Sequence, residues 1–329
     1  MTFQVAKPAI LLLLLSWSML VPRGALAADA ETRPEHDPLV YTGPAQAADE
    51  VWLVNTREIK KASVQDPGLS LRRSTATAGW KEATIEPLAA KPDDALRTVI
   101  YVHGYDFDAD KAERVGWAMY HRLREQLPAA QRLRFVVWSW PATSLKYRYL
   151  RDLRDKARRT KLEAFFLAWM LSRVDVDAVI GSALGCRAVT GALHLLAGDA
   201  PSLNTVVTAD ARRQKLRVVL ISPAIDDDWL LPGAYHGKAL SQVSHLLSVN
   251  NLADPTLANY AAIATKQNAA AMGLSGLATP NKLGEAASRL DQVDVSELIS
   301  KHHGVENYLR SAAIVERLAS FIFGPLPAN

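Results

Sequence analysis

The run Gly181-Ser182-Ala183-Leu184-Gly185 places two glycines four residues apart around a central residue, the spacing of a G-x-Nu-x-G turn that lifts a nucleophile out of the chain. Such a turn presses strand and helix backbones together, so the residues two before and two after its centre must be tiny. Gly181 and Gly185 meet that demand. Asp177 to Ile180 leads in as a short apolar run and Cys186 to Leu196 leads out with helical spacing, which is the required strand, tight turn and helix. The chemistry of such a turn is covalent: a hydroxyl or thiol at its centre attacks a carbonyl. Here the centre is Ala183, which has no atom to attack with. A one-residue shift makes Ser182 the nucleophile, but puts Ile180 and Leu184 at the crowded positions, where neither fits easily. Cys186 lies three residues past Ala183 in the first helical turn, so it reads as a buried inert thiol.

Three other polar clusters close strand-like runs: His103-Gly104-Tyr105, Asn251 to Asp254, and His302-His303. The runs themselves are VWLVNTR (51–57), TVIYVHG (98–104), LRFVVWSW (133–140), VDAVIGS (176–182), LRVVLIS (216–222), HLLSVN (245–250) and a weaker VDVSELI (293–299). Helical patterns fall near 110–127, 148–173, 185–197, 256–272 and 306–323. Short apolar strands separated by helices predict an α/β fold, a mostly parallel twisted sheet with helices on both faces. Such a sheet carries its chemistry at the carboxyl ends of its strands, where all four clusters lie. With no internal repeat and no second composition regime, residues 50–323 read as one domain.

In this order the motifs resemble those of an α/β-hydrolase from an uncharacterised bacterial family with esterase-like or lipase-like members. The resemblance is carried by the opening strand Val51 to Arg57, His103-Gly104, Trp140-Pro141 and the turn at 181–185 with alanine where serine is expected. It implies an eight-stranded sheet, Asp254 as the acid, His303 as the base, and backbone N–H groups of Leu184 and Tyr105 as oxyanion donors. The order 183, 254, 303 is the hydrolase order. Asp254 also reads as a turn residue before Pro255, Asp226, Asp227 and Asp228 are rival acids that also read as a helix N-terminus, and His302 competes with His303. With alanine at 183, two functions stay open: a silent or very weak relative that binds an acyl or ester-like ligand or a protein partner, and an active esterase using Ser182 or a His-activated water.

The chain of 329 residues is 49% hydrophobic and 22% charged, an ordinary globular balance, and its one cysteine excludes both a disulfide framework and a multi-cysteine zinc site. No metal or cofactor is expected. Lys7, the apolar run from Ala9 to Val21 and the small-x-small site Ala25-Leu26-Ala27 predict a secretory signal peptide over 1–27, with an uncleaved anchor as the other reading. The apolar run is too short to span a bilayer comfortably, so the exported chain, periplasmic or secreted, is expected to keep no integral membrane span. Its loss removes Lys7 and Arg23 and brings the formal charge from +4 to +2, a balance that argues against a nucleic-acid partner. Residues 28–49 read as an arm, and 258–290, rich in alanine and punctuated by glycine, as a cap or mobile segment. Residues 146–161 hold eight basic and two acidic residues, the pattern of an amphipathic helix with a solvated basic face or of a peripheral surface for anionic lipid or polymer. Trp140-Pro141 is expected to end its strand and wall the pocket.

Overall fold

The computed structural model describes residues 44–199 and 216–325 except 62, 64, 91 and 92; the predicted signal peptide and the arm up to residue 43 lie outside the described residues. Among the described residues nine strands form one sheet: β1 (Glu50–Asn55), β2 (Ser70–Thr75), β3 (Ala78–Ala83), β4 (Leu96–Val102), β5 (Arg132–Ser139), β6 (Ala178–Ser182), β7 (Leu216–Ile221), β8 (Val243–Asn250) and β9 (Leu290–Asp294). Their spatial order is β3-β2-β1-β5-β4-β6-β7-β8-β9. Along the spatial order from β1 through β5, β4, β6, β7 and β8 to β9 each pairing is parallel, while β2 runs antiparallel to both β1 and β3. The inner strands are apolar on both sides because both faces are covered: all five residues of β6 are buried, as are all residues of β4 except Arg97.

Five longer helices flank the sheet: α1 (Ala109–Arg124), α2 (Tyr149–Leu171), α3 (Gly185–His194), α4 (Val305–Arg310) and α5 (Ala312–Phe323). Helices α1 and α5 contact each other and the sheet, while α2 packs along α3, which follows β6 directly. Asp108 starts α1 by accepting from the Lys111 N–H at 2.7 Å. The end of the arm is docked: Asp49 is buried in an ion pair with Arg124 at 3.1 Å and accepts from the Tyr120 hydroxyl at 2.8 Å.

The elements depart from the sequence reading in four places. The sheet has nine strands, not eight, because the hairpin β2–β3 (SLRRST, AGWKEA) is held by polar anchors that leave no apolar run. Arg73 pairs with Glu50 at 2.8 Å, and the Trp80 indole donates to Glu113 at 2.6 Å. The last strand ends at Asp294, not 299, since the Asp294 carboxylate accepts from the Ser296 N–H at 3.0 Å and turns Ser296–Ile299 into a helical turn. No continuous helix occupies 256–272. That stretch pairs with the loop after β7, Met272 N–H to Ile225 O and Gly273 N–H to Pro223 O, both at 2.9 Å. The rest of the predicted cap, to residue 290, consists of short turns, including Met272–Ser275 and a 3-10 segment at Pro280–Arg289. The final helix is broken at Ser311, whose side chain caps α5.

Helix α2 buries Ala157, Phe166, Leu167 and Met170 while Arg151 and Arg158 stay exposed. One of its basic residues turns inward: Arg159 bonds the buried Glu163 carboxylate at 2.6 Å, which also accepts from Thr56 and Trp138. Among the described residues no helix is long and apolar enough to cross a membrane.

Candidate functional site

The sharp turn between β6 and α3 is wound as the sequence spacing requires. A Cβ on Gly185 would stand 2.4 Å from the Val102 carbonyl oxygen and 2.6 Å from that of His103, and a Cβ on Gly181 would stand 3.1 Å from the Cys186 Cα. Ala183 at the apex has φ of 45°, a left-handed conformation that costs an L-residue about 1 to 3 kcal/mol. The turn is held by the Ala183 N–H donating to Ile221 O at 2.9 Å, and by Ala183 O accepting from the Ala224 and Cys186 N–H groups at 3.2 Å each. The strained apex thus persists although its side chain has no reactive atom.

Asp254 and His303 come together from the ends of β8 and β9. Asp254 Oδ2 lies 2.6 Å from His303 Nδ1 and accepts from the Ser222 hydroxyl at 2.9 Å. The other carboxylate oxygen accepts from the Thr256 and Leu257 N–H groups at 2.8 and 3.2 Å, so Asp254 is also the N-cap of the turn at Pro255–Ala258. The two readings of this residue, acid and turn, describe one side chain. His302 is exposed, and its carbonyl and that of Ser300 accept from the buried Asn251 side chain at 3.0 and 2.9 Å; this clamp presents His303, not His302, to Asp254. The rival acids lie elsewhere. Asp226 is buried and accepts from the Tyr260 hydroxyl at 2.5 Å and from Thr265, while Asp228 pairs with Lys266; a bridge and turns, not a helix, follow them.

Burial pushes the Asp254 carboxyl up, but the hydrogen bond and charge of His303 and the bonds from Ser222 and Leu257 outweigh it and leave it below its ordinary value of 3.8. A lowered carboxyl contributes stability above the unfolded value and loses it as pH falls through the folded one. The expected result is a stability difference between the parent and Asp254→Asn that is largest above pH 3.8 and shrinks at lower pH, read from urea midpoints across that range.

The loop after β4 borders the turn closely: a Cβ on Gly104 would stand 3.0 Å from the Ala183 Cβ. His103 is buried and held neutral, its value pushed down to about 3 by burial. Its Nδ1–H donates to the Gly104 carbonyl at 2.9 Å, and its Nε2 accepts from the Trp140 N–H at 3.2 Å. Trp140 does not wall the cavity. Its indole donates to the His103 carbonyl at 2.8 Å and stacks on the imidazole, so it braces this loop from behind. Arg57, at the end of the opening strand, bonds the Ser139 hydroxyl at 2.9 Å and the Phe107 carbonyl at 3.2 Å, fixing the same loop. The backbone N–H groups of Tyr105 and Leu184 have no hydrogen-bond acceptor among the described residues.

Ala183, Leu184, Tyr105 and His303 border one cavity of about 320 Å³, whose walls include Tyr149, Leu150, Leu153, Leu257 and Ile263. Tyr105 is anchored through its hydroxyl to Asp152 and Ser144 at 2.9 and 2.7 Å. Ser182 also borders the cavity, but it is 4% exposed and its hydroxyl lies 3.3 Å from that of Tyr101. Cys186 is fully buried, and burial pushes its thiol up, which keeps it protonated.

No family model and no curated protein matches the sequence. Among solved structures, an inhibited esterase B from Lactobacillus rhamnosis is similar at 14% identity, over 84% of this chain and 88% of that one, with a TM-score of 0.37. Carboxyl esterase 2 from the mycorrhizal fungus Tuber melanosporum is similar at 12% identity, over 88% and 92%, with a TM-score of 0.35. The strand order, the turn after β6 and the strand-end placement of Asp254 and His303 are those of an α/β-hydrolase fold.

The sequence offers no site role for Ser222 or Arg57, and it marks Asn251 only as the first residue of the cluster Asn251 to Asp254. Arg57 carries a signal as the last residue of the opening motif; a lone serine after a strand carries none.

Proposed function

We propose that this chain is an exported protein, periplasmic or secreted, related to serine esterases and lipases, that binds an acyl or ester-like ligand or a protein partner and turns over esters weakly or not at all. The observation that carries this reading is Ala183 at φ of 45° on the edge of an apolar cavity that His303, bonded to Asp254, also lines. A carbonyl seated there meets two unoccupied backbone N–H donors, Tyr105 and Leu184, but no oxygen or sulfur positioned to attack it. His303 then has no hydroxyl to deprotonate. What remains of the chemistry is binding and polarisation of a carbonyl.

Calorimetric titration with phenyl butyrate tests this on the intact mature chain. The expected result is saturable one-site binding that Leu153→Trp abolishes by filling the cavity, with p-nitrophenyl butyrate released no faster than in buffer. Release at about 1 to 1000 per second would replace this reading with that of an active hydrolase using Ser182 or a His-activated water.

A further inference from the structure

Ile263 also lines a second cavity, of about 410 Å³, between α2, α3 and the turn carrying Trp229 and Tyr235. Helix α2 contributes Arg154, Arg158 and Lys161, spaced i, i+4 and i+7, so they share one face. Helix α3 contributes Arg187 from below. Among the described residues no Asp or Glu lines this space.

Arg187 separates this arrangement from an ordinary solvated basic face. It is 5% exposed, and among the described residues it has no ion pair. Its Nε donates to Ala224 O at 2.7 Å, and its Nη2 donates to the Tyr260 hydroxyl at 2.6 Å and to Ile263 O at 2.8 Å. The third nitrogen, Nη1, has no acceptor among the described residues. Asp226 is linked to this charge through the Tyr260 hydroxyl, which donates to it at 2.5 Å. The guanidinium also lies over the Trp229 and Tyr260 rings, 4.7 and 5.5 Å from their centres, which supports the charge without neutralising it; an anion at Nη1 would complete its shell.

The rim is positioned to supply further charge. Arg154 is steered by its Nε bond to Ala262 O at 3.0 Å, and Lys161 lies 5.8 Å from the Tyr235 ring centre. Arg158 pairs with Asp155 on the outer surface, so its charge is the most shared of the four. Forked guanidinium groups and an ammonium converging on one space match the several oxygens and double charge of a phosphate better than a single carboxylate. The space exceeds what phosphate alone fills, and the exposed Tyr235 ring on its rim provides an aromatic contact for an organic remainder, while Trp229 is buried beneath Arg187.

We propose that this cavity binds a phosphate group carried on a small organic or lipid moiety. It is a site apart from the acyl cavity and does not depend on the reading of Ala183.

The test is calorimetric titration of the intact mature chain with phenyl phosphate, inorganic phosphate as competitor, and flotation with vesicles of phosphatidylcholine with or without phosphatidic acid. Saturable binding of phenyl phosphate, displaced by inorganic phosphate, is expected. The Lys161→Ala and Arg158→Ala double variant should weaken it roughly tenfold or more. Arg151→Ala removes one charge from the exposed side of the same helix, outside the cavity, and should leave it unchanged. Binding of phenyl phosphate without preference for phosphatidic acid assigns the site to a soluble phosphoester; a preference for phosphatidic-acid vesicles that the double variant loses assigns it to a lipid headgroup. Absence of saturable binding, or equal weakening by Arg151→Ala and by the double variant, overturns the site.

Discussion

Ala183→Ser is expected to raise p-nitrophenyl acetate and butyrate hydrolysis at least about a hundredfold above the parent, since removing a serine nucleophile from an intact triad costs about a millionfold and the remaining groups are in place. The introduced hydroxyl would occupy the apex at φ of 45°, on the edge of the cavity that His303 also lines. Asp254 at 2.6 Å orients the imidazole through Nδ1, leaving Nε2 as the proton acceptor. Adding His303→Ala to Ala183→Ser should return the rate to that of the parent, which separates triad catalysis from adventitious surface hydrolysis. A folded Ala183→Ser protein with no gain would mean that the constellation has decayed beyond its nucleophile, and would leave binding as its remaining role.

Gly185→Ala should destabilise the protein by at least about 3 kcal/mol, the range of severe overpacking against backbone. Its new Cβ would meet the Val102 and His103 carbonyl oxygens at 2.4 and 2.6 Å, and neither can move without disturbing β4 and the loop that carries Tyr105. Gly79→Ala is the matched control. A Cβ there meets nothing within 4 Å, so its effect should stay within about 0.5 kcal/mol. Thermal or urea unfolding of the two variants side by side reads the difference. Equal, small effects would show that strand and helix are not pressed together at this turn.

The sequence discloses those parts of the site that obey a local steric rule. Gly181 and Gly185 mark the turn because nothing larger fits, and a one-residue shift to Ser182 is disfavoured for the same reason. The inner strands are legible as apolar runs because helices cover both faces. The β2–β3 hairpin escapes notice because its strands sit at the sheet edge, alternate polar residues and are tied down by Arg73–Glu50 and Trp80–Glu113 contacts distant in the chain. The division of labour between His302 and His303 is set by the Asn251 clamp, which no spacing records. Trp140 serves His103, not the cavity, for a similar reason: the partner is 37 positions away, brought close by the neighbouring strand. The basic cavity is legible only in part, since the helical face of Arg154, Arg158 and Lys161 can be read from spacing while Arg187 joins it through the fold.

The most direct test of the central claim, that position 183 is a nucleophile position lacking only its oxygen, is intact-mass analysis after treatment with a fluorophosphonate probe. The account predicts no adduct on the parent and one adduct on Ala183→Ser, mapped to the introduced serine and lost when His303→Ala is added. An adduct on the parent at Ser182, or none on the folded Ala183→Ser protein, would contradict it.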